Sequence, residues 1–292
     1  MHKPLFLRIV DALRNHVPYF EQRRNGHGRY GLSALQKCTA AIRMLAYGQS
    51  GDSYDEYLRL GSSTALLCLD NFTTGIIQLF GDEFLRRPTA DDLQRLLDLG
   101  EVRGFPGMIG SIDCMHWEWK NCPTAWAGQY TRGSRKPTIV SDGIYPKWST
   151  FIQSISLPQS PQAALFAQHQ ESVRKDVERA FGVLQARFAI VKNPALLWDK
   201  EKLGRIMRAC IILHNMIVED EREGFTQGDI TGFQTGESSR SSHVDVISAT
   251  ESLSNIGQMR AIRNQIRDQQ IHDRLKADLV ENIWQKFGNQ NE

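Results

Sequence analysis

Apolar residues recur at helical spacing over most of the first hundred positions. Leu35, Cys38, Ile42 and Leu45 follow Ser33 and Gln36, a pair that predicts a capping box, and Gly48 to Asp52 break the helix they define. Ser53 to Leu60 predicts a short second helix. Gly61-Ser-Ser-Thr opens a third, capped by Ser, with Leu66, Leu69, Phe72, Ile76 and Leu79 along one side. Thr89 with Asp92 caps a further helix that Gly100 ends. The period then changes. A Pro-Gly turn before Met108, Ile109 and Ile112 predicts a buried strand with Asp113 at its far end, and Thr138-Ile-Val-Ser predicts a second strand with Asp142 at its end. Pro158 to Pro161 reads as a loop. From Glu171 helical spacing returns, with Val173, Val177, Phe181, Leu184, Phe188 and Val191 in one stripe. Leu203 to Asp220 predicts another amphipathic helix, with Ile206, Cys210, Leu213 and Ile217 inward. Between Gly224 and about Thr250 the periodicity vanishes into Gly, Ser, Thr and Gln, the composition of a flexible linker. A last helix near Ile262 to Phe287 repeats at Leu275, Leu279, Ile283 and Phe287.

Composition narrows the class. The 292 residues are 41% hydrophobic and 23% charged, as in ordinary globular chains with one or two cores. No apolar run approaches the ~18 residues of a membrane span, and the apolar run at the start is too short for a signal peptide. Five scattered cysteines, an odd number, fit a reducing compartment, nucleus or cytosol. Cys114, His116 and Cys122 match no standard zinc spacing, and no fourth ligand is evident. A net charge of +2 is low for a nucleic-acid binder. Contact with DNA would have to come from local clusters: Arg23, Arg24 and Arg29; Arg132, Arg135 and Lys136; Arg174, Lys175 and Arg179. Each cluster has a solvated face as its simpler reading.

The candidate chemistry lies in three acids. Asp113 and Asp142 each stand where an apolar run hands over to a loop, and Glu178 lies at the polar border of the helical stripe, in line with Arg174 and Gly182. Each has a plain structural reading: a turn-forming or capping Asp, and a surface ion pair between Glu178 and Arg174. Together, three carboxylates are what a pair of hard divalent ions needs, since Mg2+ takes oxygen ligands.

At this point a resemblance adds to the reading. Arg103-Gly-Phe-Pro-Gly-Met-Ile-Gly-Ser-Ile-Asp-Cys-Met-His-Trp-Glu-Trp-Lys-Asn-Cys-Pro123, Asp142-Gly-Ile-Tyr-Pro146 and Val177-Glu-Arg-Ala-Phe-Gly-Val-Leu-Gln-Ala-Arg-Phe188 resemble the plant transposase-derived nucleases of the PIF/Harbinger type. The similarity runs from about Pro4 to Glu223 and resumes near Asp268 to Gly288. It implies an α/β (α+β) fold: a helical, helix-turn-helix-like region over 1–100, a truncated RNase H-like DDE nuclease domain over 101–223, a linker over 224–250 and a C-terminal helix over 251–292. It also implies that Asp113, Asp142 and Glu178 are both the catalytic and the metal-binding residues, with Mg2+ or Mn2+ as cofactor, DNA as substrate, a Myb-like DNA-binding protein as partner, and the nucleus as location.

The chain departs from the family in one respect. Only 29 positions (142 − 113) separate the two aspartates, where the family has a much longer stretch, so a block is missing at Val140-Ser141. That loss is expected to leave the Met108 to Trp119 strand at a sheet edge, with Thr138 to Val140 laid parallel to it, and to impair activity. A non-catalytic DNA-binding or protein-interaction factor is the alternative function. The helical first region has two readings too, a helix-turn-helix with Ser62, Ser63 and Thr64 facing DNA, or a plain bundle. Lys120 to Lys136 is an aromatic and cationic loop in which Trp126 and Tyr130 offer stacking, while Trp117, Trp119 and Trp126 each serve equally as core.

Overall fold

A computed structural model describes residues 1–48, 60–112, 117–131, 136–139, 148, 150–226, 264 and 266–288. They fall into two compact units. The first is built from Met1–Arg87, Met115–Ser141 and Ala180–Gly236, the second from Pro88–Cys114, Asp142–Arg179 and Glu237–Glu292.

In the first unit, α1 (Lys3–His16) turns Leu5, Ile9, Val10 and Leu13 inward. The expected capping box opens α2 (Ala34–Tyr47): Ser33 Oγ accepts from Gln36 N at 3.2 Å while Gln36 Oε1 accepts from Ser33 N at 2.9 Å. Gly48, at φ 61°, ends it. The predicted second helix, Ser53 to Leu60, lies outside the described residues apart from the buried Leu60. α3 (Ser62–Phe84) starts from Gly61, with no side-chain cap where a Ser cap was expected. It packs on both α2 and α7 (Lys200–Thr226), burying Cys68, Leu69, Phe72 and Ile76. Asp70 takes Arg205 at 2.8 Å. In α7 the predicted inward set, Ile206, Cys210, Leu213 and Ile217, is buried.

The second unit holds α4 (Ala90–Val102) and α8 (Gln269–Phe287). Thr89 and Asp92 form the second predicted capping box, at the start of α4. Gly100 does not end the helix as expected; it is buried within it, because a Cβ there would meet Met108 O at 2.6 Å. The stop is Gly104, at φ 89°, where Phe105 N bonds Gly100 O at 2.8 Å and Gly104 N bonds Glu101 O at 3.0 Å, a Schellman closure. α8 begins at its cap, Asp268, and buries Leu279 and Ile283 against Phe105, Leu165, Phe166 and Val173.

One helix is shared. α6 (Pro161–Arg187) contributes residues 161–179 to the second unit and 180–187 to the first. It begins ten residues before the expected start at Glu171. Ser160 Oγ accepts from Ala163 N at 3.2 Å and Pro161 takes the first helical position, where a missing N–H costs nothing.

The predicted α/β (α+β) architecture with an incomplete RNase H-like sheet is overturned: among the described residues every regular element is helical. Met108 to Ile112 forms no strand, and Ile109 and Ile112 are 57% and 59% exposed. The parallel pairing expected between the two Asp-bearing runs is absent from the described residues. Glu118 instead bridges Thr138 antiparallel, with Trp119 N donating to Pro137 O at 2.8 Å and Ile139 N to Trp117 O at 3.0 Å. The physical reason lies in strand count: independent sheet stability takes roughly three or more strands around an apolar face, and the described residues offer isolated bridges.

Candidate functional site

Two of the three predicted site residues, Asp113 and Asp142, lie outside the described residues. Glu178 is exposed on α6, at the border of the predicted stripe, one residue from the half-buried Val177. Its Oε1 accepts from Arg174 Nη1. The same guanidinium forks onto Glu171, with Nε to Oε2 at 3.0 Å and Nη2 to Oε1 at 2.7 Å. Arg174 is thereby pushed up from its ordinary value, first through the Glu171 hydrogen bonds, and the same bonds hold Glu171 below the usual carboxylate range. Beside Glu178 there is room: a Cβ on Gly182, one turn on, would meet nothing within 4 Å.

Two of the three basic residues clustered on this helix, Arg174 and Arg179, are paired. Asp176 takes Arg103 at 3.0 Å and Arg179 at 3.1 Å. Among the described residues no group of three or more His, Cys, Asp or Glu could hold a metal ion. Cys122 is a free, half-buried thiol, and Cys114 and His116 lie outside the described residues.

The tryptophans after Asp113 are anchors. Trp117 and Trp119, two apart in an extended stretch, both point into the first unit's core, and each indole finds a backbone acceptor. Trp117 Nε1 donates to Asn193 O and Trp119 Nε1 to Leu197 O, both at 2.8 Å. Ala195 N donates to Glu118 O at 2.7 Å, Lys120 N to Ala195 O at 3.1 Å, and Asn121 Nδ2 to Leu196 O at 2.7 Å. Residues 117–121 are thus zipped along 193–197. Burying these indoles without such partners would cost about 1–3 kcal/mol each. Trp126, in α5 (Thr124–Tyr130), departs from the core role expected of it: it is 43% exposed, although its ring lies 6.1 Å from the buried Trp119 ring.

Sequence reasoning missed the acceptor segment, because main-chain carbonyls leave no residue signature. It also missed a polar cluster at the end of α6, where Arg187 Nη2 donates to Glu221 at 2.6 Å and Nη1 lies 3.4 Å from His214 Nδ1. His214 is held below its ordinary value, first by burial and then by Arg187, with Glu221 opposing. The neighbouring Asn215 donates to Phe84 O at 2.8 Å.

Comparison with known proteins adds the lineage. The family described as plant transposon protein matches residues 82–141 and 139–225, two pieces that meet where the missing block was placed. “Putative nuclease HARBI1” of Bos taurus is 21% identical over 239 residues, covering 64% of this chain and 68% of its own length. The Homo sapiens protein of the same name is 20% identical over 239 residues, with the same two coverages. Since 64% of 292 residues is about 187, about 50 of the 239 aligned positions face a gap in this chain. No solved structure matches. The chain belongs to the plant transposon protein family, whose two matched pieces abut at residues 139–141.

Proposed function

We propose that this protein is a transposase-derived DNA endonuclease, weakened by the missing block, in which Asp113, Asp142 and Glu178 hold Mg2+ or Mn2+. The observation that carries the reading is the family match itself, which runs across all three carboxylates and breaks only at 139–141. The donor chemistry fits: three acids offer hard oxygens and no sulfur, and Glu178 stands exposed with open space at Gly182. Bound there, the metal supplies Lewis-acid stabilisation to the oxygens of a phosphodiester displacement. The chain's own part is to bring the three carboxylates together and to release Glu178 from Arg174 when it is needed. DNA as substrate, a Myb-like protein as partner and the nucleus as location belong to the same proposal.

The test is a supercoiled plasmid incubated with purified protein in Mn2+. Nicking that disappears in Asp113→Ala is the expected result, and nicking that persists there rejects the assignment. A second reading, a non-catalytic DNA-binding or protein-interaction factor, is favoured by one observation: Glu178 is occupied by Arg174. Binding of the protein to chromatin sites with no nicking under any metal would decide for it.

A further inference from the structure

Two tryptophans of the first unit, Trp126 and Trp198, are exposed, and Trp126 belongs to an aromatic cluster. Trp126 rests on Trp119 with ring centroids 6.1 Å apart, and Tyr130 meets the same Trp119 ring edge-on at 5.2 Å. Trp119 is buried and pinned through its indole N–H to Leu197 O, which gives the cluster a fixed base. Trp198, the residue after that carbonyl, is 68% exposed. Two exposed lysines adjoin these residues in space or in sequence. Lys200 Nζ lies 5.1 Å from the Tyr130 ring centroid, and the exposed Lys120 follows Trp119 directly.

Exposed indoles beside ammonium groups suit a polyanion whose flat faces can be stacked. Protein interfaces are depleted in lysine, which argues against a protein occupant. Duplex DNA hides its base faces in its own stack. We propose that Trp126 and Trp198, with Lys120 and Lys200, form a binding surface for single-stranded DNA, the indoles stacking on unpaired bases and the lysines meeting phosphates. The choice of DNA over RNA rests on the function proposed above; the surface itself needs no metal and no catalysis.

Fluorescence anisotropy of labelled oligo-dT of about 20 nucleotides, in EDTA, tests it with the full chain. Saturable binding that weakens with salt is expected, with Trp126→Ala and Trp198→Ala each raising Kd about tenfold and Trp126→Phe restoring most of it. Circular dichroism confirms that each variant is folded. The proposal falls if both alanine variants bind as the parent does, if blunt duplex binds as tightly as oligo-dT, or if the substitutions abolish self-association in the ultracentrifuge and leave oligonucleotide binding intact. Because EDTA excludes metal chemistry, a protein that binds oligo-dT but never nicks plasmid sinks the nuclease reading alone. One that nicks but is indifferent to the tryptophans sinks this surface alone.

Discussion

Glu178 shares Arg174 with Glu171, and the sharing is unequal. Glu171 has two hydrogen bonds from the guanidinium where Glu178 has one, so the pair that would have to break to free Glu178 is the weaker arm. Exposed helix pairs of this kind contribute about 0.3–0.5 kcal/mol. Glu178→Gln is therefore expected to shift the urea midpoint of unfolding hardly at all, while removing any plasmid nicking. A large stability loss with activity unchanged would return the residue to a purely structural role. His214 makes the opposite case, a group whose environment is a stability statement. Its folded form resists protonation, chiefly through burial, so at neutral pH it contributes nothing either way. As pH falls through the ordinary value of 6.5 the unfolded chain takes a proton that the folded chain refuses, and stability is lost until the lowered folded value is passed. His169, stacked on Phe287 at 4.5 Å and also held low by burial, adds to the same slope. Urea titrations between pH 7 and pH 5 should show declining stability, with a shallower decline in His214→Gln; an equal slope in the variant rejects the assignment.

Helix ends show how local rules and packing divide the work. Thr89→Ala removes a cap that is built wholly from neighbours in sequence, and a loss of about 1 kcal/mol is expected from denaturant unfolding. Gly104→Ala is expected to cost more, about 1–3 kcal/mol, because Ala is strained at φ 89° and its Cβ would meet Phe287 Cε2 at 2.8 Å. If Gly104→Ala proves the milder of the two, the Schellman closure does not hold this helix end. Both capping boxes were legible in the sequence for the same reason, that Ser33 with Gln36 and Thr89 with Asp92 need nothing beyond one helical turn. Gly100 misled because glycine has two uses, and only the position of Met108 O reveals that this one serves close packing. The early start of α6 was hidden by Pro161, read as a loop residue although proline is at home in a helix's first turn. The core stripe of α7 was readable from periodicity, and that of α6 in part: Val173 and Leu184 are buried on the helix, while Phe188 and Val191 are buried beyond its end at Arg187. The zip of 117–121 onto 193–197 was not, since it joins segments about 75 residues apart through main-chain atoms.

For the whole chain, the step from pattern to packing fails in the apolar segment before Asp113. Ile109 and Ile112 read as buried strand residues, yet each is more than half exposed. Sequence pattern records what a segment was selected to pack against, and the break between the two matched pieces of the family at residues 139–141 is where such a neighbour can be sought. In the present chain Ile109→Ser and Ile112→Ser should be nearly neutral, within about 0.5 kcal/mol, since little apolar area leaves water at either position. The family's segment that falls between the two matched pieces can be inserted at residues 139–141. If that segment is what the isoleucines are patterned to meet, the same two substitutions in the extended chain should each become destabilising by about 1.5–3 kcal/mol, the amount set by burying a full aliphatic side chain. Denaturant unfolding of the six proteins, two parents and four variants, measures the change directly. Two serine substitutions that stay neutral in the extended chain would mean that the block packs elsewhere, and that the exposure of Ile109 and Ile112 has a cause other than its loss.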